Sequence, residues 1–132
     1  MFVGISAAFN GNHTSAAVAI AVHDAVYLLD YSVQNIPLST STEVDSIADY
    51  IIRELTKYSH DNLAKFIGAG IPRDLMKGSP TLCSRLWLEL DVVPISIDPE
   101  VERVDLDQKK ALNWDAKGVD EQADSMARKC VM

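Results

Sequence analysis

Three short apolar runs open the chain, and polar breaks separate them. The runs are rich in small and β-branched residues, which favour strands. Apolar and polar positions alternate imperfectly within them, as expected for a sheet that is covered on both faces. The pattern predicts an antiparallel meander of three strands, Phe2–Phe9, Ser15–Val22 and Ala25–Val33, with a tight turn at His23-Asp24.

The stretch after Pro37 carries the clearest helical signal in the chain. Thr40 and Glu43 stand three positions apart, which is the spacing of a capping box at a helix N-terminus. Apolar residues then recur at helical spacing. The predicted apolar face of this helix consists of Val44, Ile47, Ala48, Ile51 and Leu55.

Two further strands and a second helix follow. A short apolar run ended by Gly70 and Pro72 predicts a buried strand, and its place after a helix favours parallel pairing. Ser79 and Pro80 predict the N-cap and first position of the second helix, which ends near Asp91. The strands are predicted over Ala64–Ala69 and Val92–Ile97, and the helix face consists of Leu82, Cys83, Leu86, Trp87 and Leu90.

The C-terminal region contains a charged segment and one more predicted helix. The run from Asp98 to Gln108 gathers five acidic residues, lacks the ligand spacing of a calcium loop and is interpreted as a solvated acidic connection. The helix is predicted from about Val119, and its apolar stripe must be buried on the chain's own sheet or on a second copy. We therefore expect a homo-oligomer or a protein partner through this region. The stripe consists of Ala123, Met126, Ala127 and Cys130.

The predicted order of elements, β-β-β-α-β-α-β with a C-terminal helix, indicates an α/β protein with a mixed sheet. Its 132 residues, 48% of them hydrophobic, suffice for one core. Neither a linker nor an internal repeat divides the chain. We therefore expect a single domain over residues 1–132, in which residues 98–132 form the acidic connection and the C-terminal helix.

Charge and composition narrow the classes of partner. A net charge of −7 argues against nucleic acid and against an anionic membrane surface, because both require clusters of Lys and Arg. No apolar run reaches the roughly 20 residues that span a bilayer. The start of the chain does not resemble a signal peptide, and its two cysteines are interpreted as reduced thiols. These features predict a cytoplasmic protein.

The polar break between the first two strands is the candidate binding site. Backbone amides and hydroxyls in such a loop can cradle a phosphate. The alternative is a plain hairpin turn, which is favoured because Asn-Gly is a strong hairpin signal and no Lys or Arg occurs between Met1 and Ile52. The histidines match no metal-ligand spacing, so neither a metal site nor a catalytic residue is predicted. The loop residues are Asn10, Gly11, Asn12, His13, Thr14 and Ser15.

Three antiparallel strands followed by two αβ units resemble ribonuclease H-like folds, including one lobe of the actin, sugar-kinase and heat-shock ATPase superfamily. The loop "NGNHTSAA" is similar to the phosphate-binding turn of that superfamily, and "GISAAFNGNHTSAAVAI" is most similar to the N-terminal lobe of nodulation-type carbamoyltransferases. The resemblance covers roughly Phe2 to Asp98. It implies a ribonuclease H-like mixed sheet and ATP with magnesium as the ligand of the loop.

The first strand departs from the catalytic members of these families. It offers Ser6, Ala7 and Ala8 where nucleases of the fold place a metal-binding aspartate, so the carboxylate cluster of two-metal chemistry is missing. We therefore hypothesise a non-catalytic interaction or assembly module with an actin-like ATPase lobe fold. The alternative hypothesis is one nucleotide-binding lobe of an actin-like or carbamoyltransferase-like enzyme, completed by a second lobe.

Overall fold

A computed structural model describes residues 1–12, 14–24, 27–41 and 43–97, and within these ranges the chain forms a mixed sheet with helices. The strands β1 to β5 occupy Phe2–Phe9, Ser15–His23, Leu28–Pro37, Gly68–Pro72 and Val93–Ile97. The helices α1 to α3 occupy Ser46–Asn62, Arg73–Gly78 and Leu82–Leu90. The α/β class and the mixed sheet are therefore confirmed. The predicted acidic connection and C-terminal helix, in 98–132, lie outside the described residues.

The five strands lie in the order β3-β2-β1-β4-β5. β2 pairs antiparallel with both β1 and β3, whereas β4 pairs parallel with β1 and with β5. The predicted meander and the predicted parallel pairing of the fourth strand are both confirmed. Phe9, at the carboxyl end of β1, and Ser46, at the start of α1, line one cleft, which is the site described below.

One face of the sheet carries the main hydrophobic core. Side chains alternate between the faces of a strand, and Val3 and Ile5 of β1 point to the same face as Val18 and Ile20 of β2. All three described helices pack on this face, and their fully buried contributors include Ile47, Ile51, Leu55, Leu75, Leu82 and Leu86. The apolar face predicted for α1 is confirmed from Ile47 to Leu55, while Val44 precedes the helix and is exposed.

The centre of the opposite face, on β1, β2 and β4, is lined by very small side chains, and larger ones such as Phe2, His23 and Val33 border it. Strand register places Ser6 beside Ala19, and Gly4 beside both Ala21 and Gly70. Ser6, Ala19 and Ala21 are almost completely buried. We call this surface the small-residue face, and it comprises Gly4, Ser6, Ala8, Ala17, Ala19, Ala21, Gly68 and Gly70.

Polar side chains move the start of the third strand and of the first helix away from the predicted positions. The amide of Tyr27 donates to Asp24 Oδ1 at 2.6 Å, so the turn follows Asp24 and β3 begins at Leu28 rather than Ala25. The N-cap of α1 is Asp45, whose Oδ1 accepts the Ala48 amide at 3.1 Å. The predicted capping box of Thr40 and Glu43 is therefore wrong.

The segment between α1 and β5 differs most from the prediction. β4 begins at Gly68, four residues later than predicted, and the short helix α2 was not predicted. Ser79 is not an N-cap, because its hydroxyl donates to Asp45 instead and α3 begins at Leu82. α3 does end at Leu90 before Asp91, as predicted.

Two side chains assigned to the apolar face of the second helix have different environments in the structure. Trp87 is 53% exposed, so its assignment to the core is wrong. Cys83 is half-buried and packs against the main core. Removal of its thiol from water raises the pKa of Cys83, which favours the unreactive protonated form.

Within the described ranges, no helix combines the length and apolar character needed to cross a membrane.

Candidate functional site

The predicted anion-binding loop forms a hairpin turn held by the side chain of Asn10. The Asn10 amide donates to the Ser15 carbonyl at 3.0 Å and closes the hairpin between β1 and β2. Asn10 Oδ1 accepts the amides of Thr14 at 2.7 Å and Ser15 at 3.2 Å, and Asn10 Nδ2 donates to Thr14 Oγ1 at 2.7 Å. Asn10, Thr14 and Ser15 are thus brought together, with Gly11 and Asn12 exposed at the tip.

The hydrogen bonds to the Asn10 side chain compete with phosphate binding by the loop. The amides of Thr14 and Ser15 already donate to Asn10, so an anion would have to displace the Asn10 carbonyl oxygen to reach them. His13 lies outside the described residues. Phosphate binding at this loop stays a prediction.

A cleft of about 370 Å³ lies beside the loop, at the carboxyl end of β1. The Leu38 amide donates to the Thr14 carbonyl at 2.9 Å and joins the loop to the cleft wall. Gly78 leaves room for the Phe9 ring, because a Cβ at position 78 would lie 2.5 Å from Phe9 Cζ. The lining residues are Phe9, Leu38, Ser39, Ser41, Glu43, Val44, Asp45, Ser46, Ile47, Gly78, Pro80 and Thr81.

Three serine hydroxyls in this wall accept backbone hydrogen bonds in series. Ser46 Oγ accepts the Ser39 amide at 3.1 Å, Ser39 Oγ accepts the Ser41 amide at 3.1 Å, and Ser41 Oγ accepts the Glu43 amide at 3.2 Å. A hydroxyl that accepts a hydrogen bond still has its own proton to donate. The cleft therefore offers O–H donors whose oxygens are already positioned by the backbone.

Asp45 anchors the other wall of the cleft. Beyond capping α1, its Oδ2 accepts hydrogen bonds from Ser79 Oγ at 2.7 Å and from Thr81 Oγ1 at 2.9 Å. Burial of the carboxylate opposes its ionisation, but the hydrogen bonds from Ser79, Ala48 and Thr81 outweigh it and lower the pKa of Asp45. Asp45 thus stays ionised and connects the start of α1 to the start of α3.

The charge of the cleft suits a neutral ligand better than an anion. Glu43 is exposed at the wall and Asp45 is ionised, while the lining contains neither lysine nor arginine. A phosphate placed here would meet two carboxylates without a compensating cation. A polyhydroxyl molecule could instead accept from the serine hydroxyls and donate to Glu43.

A second groove, of about 390 Å³, lies between β3 and the C-terminal half of α1. Carboxylates and one lysine line it, among them Asp30, Glu54, Lys57 and Asp61. Among the residues that the structure describes, no three His, Cys, Asp or Glu side chains come close enough to hold a metal ion. This groove lacks the positioned hydroxyl series of the first, which we take as the candidate site.

The sequence carries a pattern typical of the cleft wall in a segment that also has the spacing of a capping box. Ser39, Ser41 and Glu43 alternate with other residues in "STSTEVDS", and a two-residue spacing is typical of extended segments that turn alternate side chains to one side. The same segment was interpreted as a capping box. The contacts of Asp45 with Ser79 and Thr81 join positions 34 and 36 residues apart, so local spacing could not have revealed them.

Comparison with known proteins gives a consistent set of relatives. All 132 residues match the family model described as "Trehalose phosphorylase-like, N-terminal domain". The trehalose phosphorylase of Pleurotus pulmonarius is 31% identical over 176 aligned positions, which cover all of this chain and 24% of the relative. Those of Grifola frondosa and Pleurotus sajor-caju are each 38% identical over 98 residues, covering 72% of this chain and 13% of the relative. No solved structure matches the chain.

These matches contradict the resemblance on which the functional hypotheses rested. The relatives are trehalose phosphorylases, so the predicted kinship with the actin, sugar-kinase and heat-shock ATPase superfamily and with carbamoyltransferases is wrong. The non-catalytic assembly module with an ATPase lobe fold and the nucleotide-binding lobe are wrong with it. The error arose because a strand order and a polar turn are features that unrelated families share.

Proposed function

Since the chain belongs to the family of trehalose phosphorylase-like N-terminal domains, we propose that it serves as the N-terminal domain of an enzyme that cleaves trehalose with phosphate. The chain spans between 13% and 24% of the length of the curated relatives that it matches. The activity is accordingly proposed for the enzyme as a whole, to which this domain contributes.

The observation that carries this proposal is the family match along the whole chain, from residue 1 to residue 132. It includes every segment that forms the cleft. The identity of 31% with one trehalose phosphorylase likewise extends over the whole chain. The match is therefore not confined to a common turn or a single helix.

We propose in addition that the sheet is ribonuclease H-like. The three-stranded antiparallel meander and the two following α-to-β connections support this finer assignment.

The activity can be tested on the protein expressed from its complete natural gene. In phosphorolysis of trehalose, the bond between one glucosyl carbon and the bridging oxygen breaks, a bond to a phosphate oxygen forms, and the departing glucose takes up a proton. We expect glucose and glucose phosphate in equal amounts, and only when trehalose and inorganic phosphate are both present. Release of glucose without phosphate, or no reaction, would contradict the proposed function.

The cleft is proposed to bind a sugar hydroxyl group within that enzyme. Its positioned O–H donors and the exposed Glu43 carboxylate support a neutral polyhydroxyl ligand. We expect that adding trehalose to the ¹⁵N-labelled chain shifts the amide signals of Ser39, Ser41 and Glu43. Adding inorganic phosphate instead should leave them unchanged, and any shift of Thr14 and Ser15 in that sample would support the predicted phosphate loop.

A matched pair of serine variants controls this titration. Ser41→Ala removes one donor from the cleft, and we expect it to weaken trehalose binding about tenfold, as loss of one hydrogen bond of about 1.4 kcal/mol would. Ser84→Ala makes the same chemical change at an exposed position on α3 and should leave binding unchanged. If trehalose shifts none of the cleft signals while the natural enzyme remains active, the cleft assignment fails and the enzyme assignment stands.

A further inference from the structure

The small-residue face is buried although the described helices pack on the other side of the sheet. Ser6 is 0% exposed, and Ala19 and Ala21 are each 1% exposed. The apolar cluster on this face contains strand residues alone among the described residues, namely Ala8, Ala19 and Ala21 with Ala17 and Val33 beside them. The burial therefore needs a cover that the described helices do not supply.

These side chains are too short to bury one another. An alanine projects a single methyl group from the sheet, and glycine projects none, so an open face built of such residues would leave their backbone and Cβ atoms in water. Among the β1–β2 pairs from Gly4–Ala21 to Ala8–Ala17, no side chain on this face is longer than that of serine. A flat, small surface of this kind also lets a helix approach closely, because no large side chain holds it away.

We propose that the chain's own C-terminal segment, residues 119–131, packs across the small-residue face as an amphipathic helix. Its stripe of Ala123, Met126, Ala127 and Cys130 supplies the apolar surface that this face would cover. Two of these residues are alanines, which suit close packing on a surface of glycine, alanine and serine. The longer and flexible Met126 can fill the gap that two small surfaces leave.

The connection is long enough for this path. β5 ends at Ile97 and lies three strand positions from β2, which is about 15 Å at the usual strand spacing. Residues 98–118 could span about 70 Å when extended. A helix over residues 119–131 would be about 20 Å long, close to the length of the strands that it would cross.

The proposal can be tested by paramagnetic broadening in the whole chain. A nitroxide is attached at Lys129→Cys, on the predicted water-facing side of the segment, with Cys83 and Cys130 replaced by alanine so that both positions stay apolar. We expect the amide signals of Ala19 and Ala21 to broaden relative to the chemically reduced label. The signals of Arg53 and Lys57, which are exposed on α1 across the sheet, should stay sharp.

Two comparisons decide between occupants of the face. When the label and the ¹⁵N nuclei are placed on different molecules and mixed, the broadening should vanish; if it persists, a second copy covers the face and the proposal is wrong. Met126→Asp should abolish the broadening and lower the melting temperature, whereas Arg128→Asp, on the opposite side of the predicted helix, should do neither. Sharp signals for Ala19 and Ala21 in the labelled chain, or broadening that survives Met126→Asp, would overturn the proposal.

Discussion

Replacing Leu86 by alanine is expected to lower the free energy of unfolding by about 2–5 kcal/mol. Leu86 lies on α3 with 0% of its surface exposed and belongs to the main core between the helices and the sheet. The truncation removes three buried carbon atoms and leaves a cavity that the surrounding side chains fill only in part. The loss is measured by urea denaturation of the whole chain, as a lower midpoint with an unchanged slope.

Leu88 provides the matched control for this substitution. It lies two residues further along the same helix, but 79% of its surface is exposed. Leu88→Ala makes the same chemical change and is expected to alter the free energy of unfolding by less than about 0.5 kcal/mol. Equal losses for the two variants would show that α3 does not pack on the sheet as described.

The sequence predicted most accurately the elements whose residues, close together in the chain, pack against the same part of the structure. In α1, residues with helical spacing from Ile47 to Leu55 all meet the same core, so the spacing alone identified the buried face. The two strands of the first hairpin were also found within one residue of their ends, because apolar runs there are bounded by polar turns. Both cases depend on contacts that are local in the chain.

The sequence failed where a distant contact decides the local structure. Ser79 followed by Pro80 has the form of a helix N-cap, but its hydroxyl donates to Asp45, from which it is separated by 34 residues. Trp87 has the spacing of a core residue on α3, yet it is exposed in the structure. Residues adjacent in the sequence indicate neither the Ser79 contact nor the exposure of Trp87, because each depends on which element packs against the helix.

The candidate site was missed for a related reason. The sequence favours the Asn10–Ser15 loop as a binding site because glycine, asparagine and hydroxyl residues cluster there. In the structure the Asn10 side chain occupies two of the loop's amides, whereas the serine hydroxyls of the neighbouring cleft keep their protons available. Composition identified groups able to bind a ligand, and only geometry showed which of them are already engaged.

Replacing Asp45 by alanine is expected to lower the free energy of unfolding by about 2–4 kcal/mol, because it removes a helix cap and the acceptor of two hydroxyls. The Ser79 hydroxyl is nearly fully buried and would lose its acceptor. Glu43→Ala, an exposed carboxylate two residues earlier, serves as the control and should change stability by less than about 0.5 kcal/mol. Urea denaturation at neutral pH measures both variants.

The pH dependence of stability separates the charge of Asp45 from its shape. The pKa of Asp45 is lowered in the folded chain, so its ionised form stabilises the fold fully at pH values above its unfolded pKa of about 3.9. This contribution is lost as the pH falls below that value through the lowered folded pKa.

Asp45→Asn retains a carbonyl oxygen that can cap Ala48 but has no second acceptor for Ser79 and Thr81. We therefore expect Asp45→Asn to be intermediate in stability at pH 7 and to approach the parent chain as acidification protonates the parent carboxyl. If the difference between the two chains were constant from pH 7 to pH 2, the ionised carboxylate would not be what joins α1 to α3.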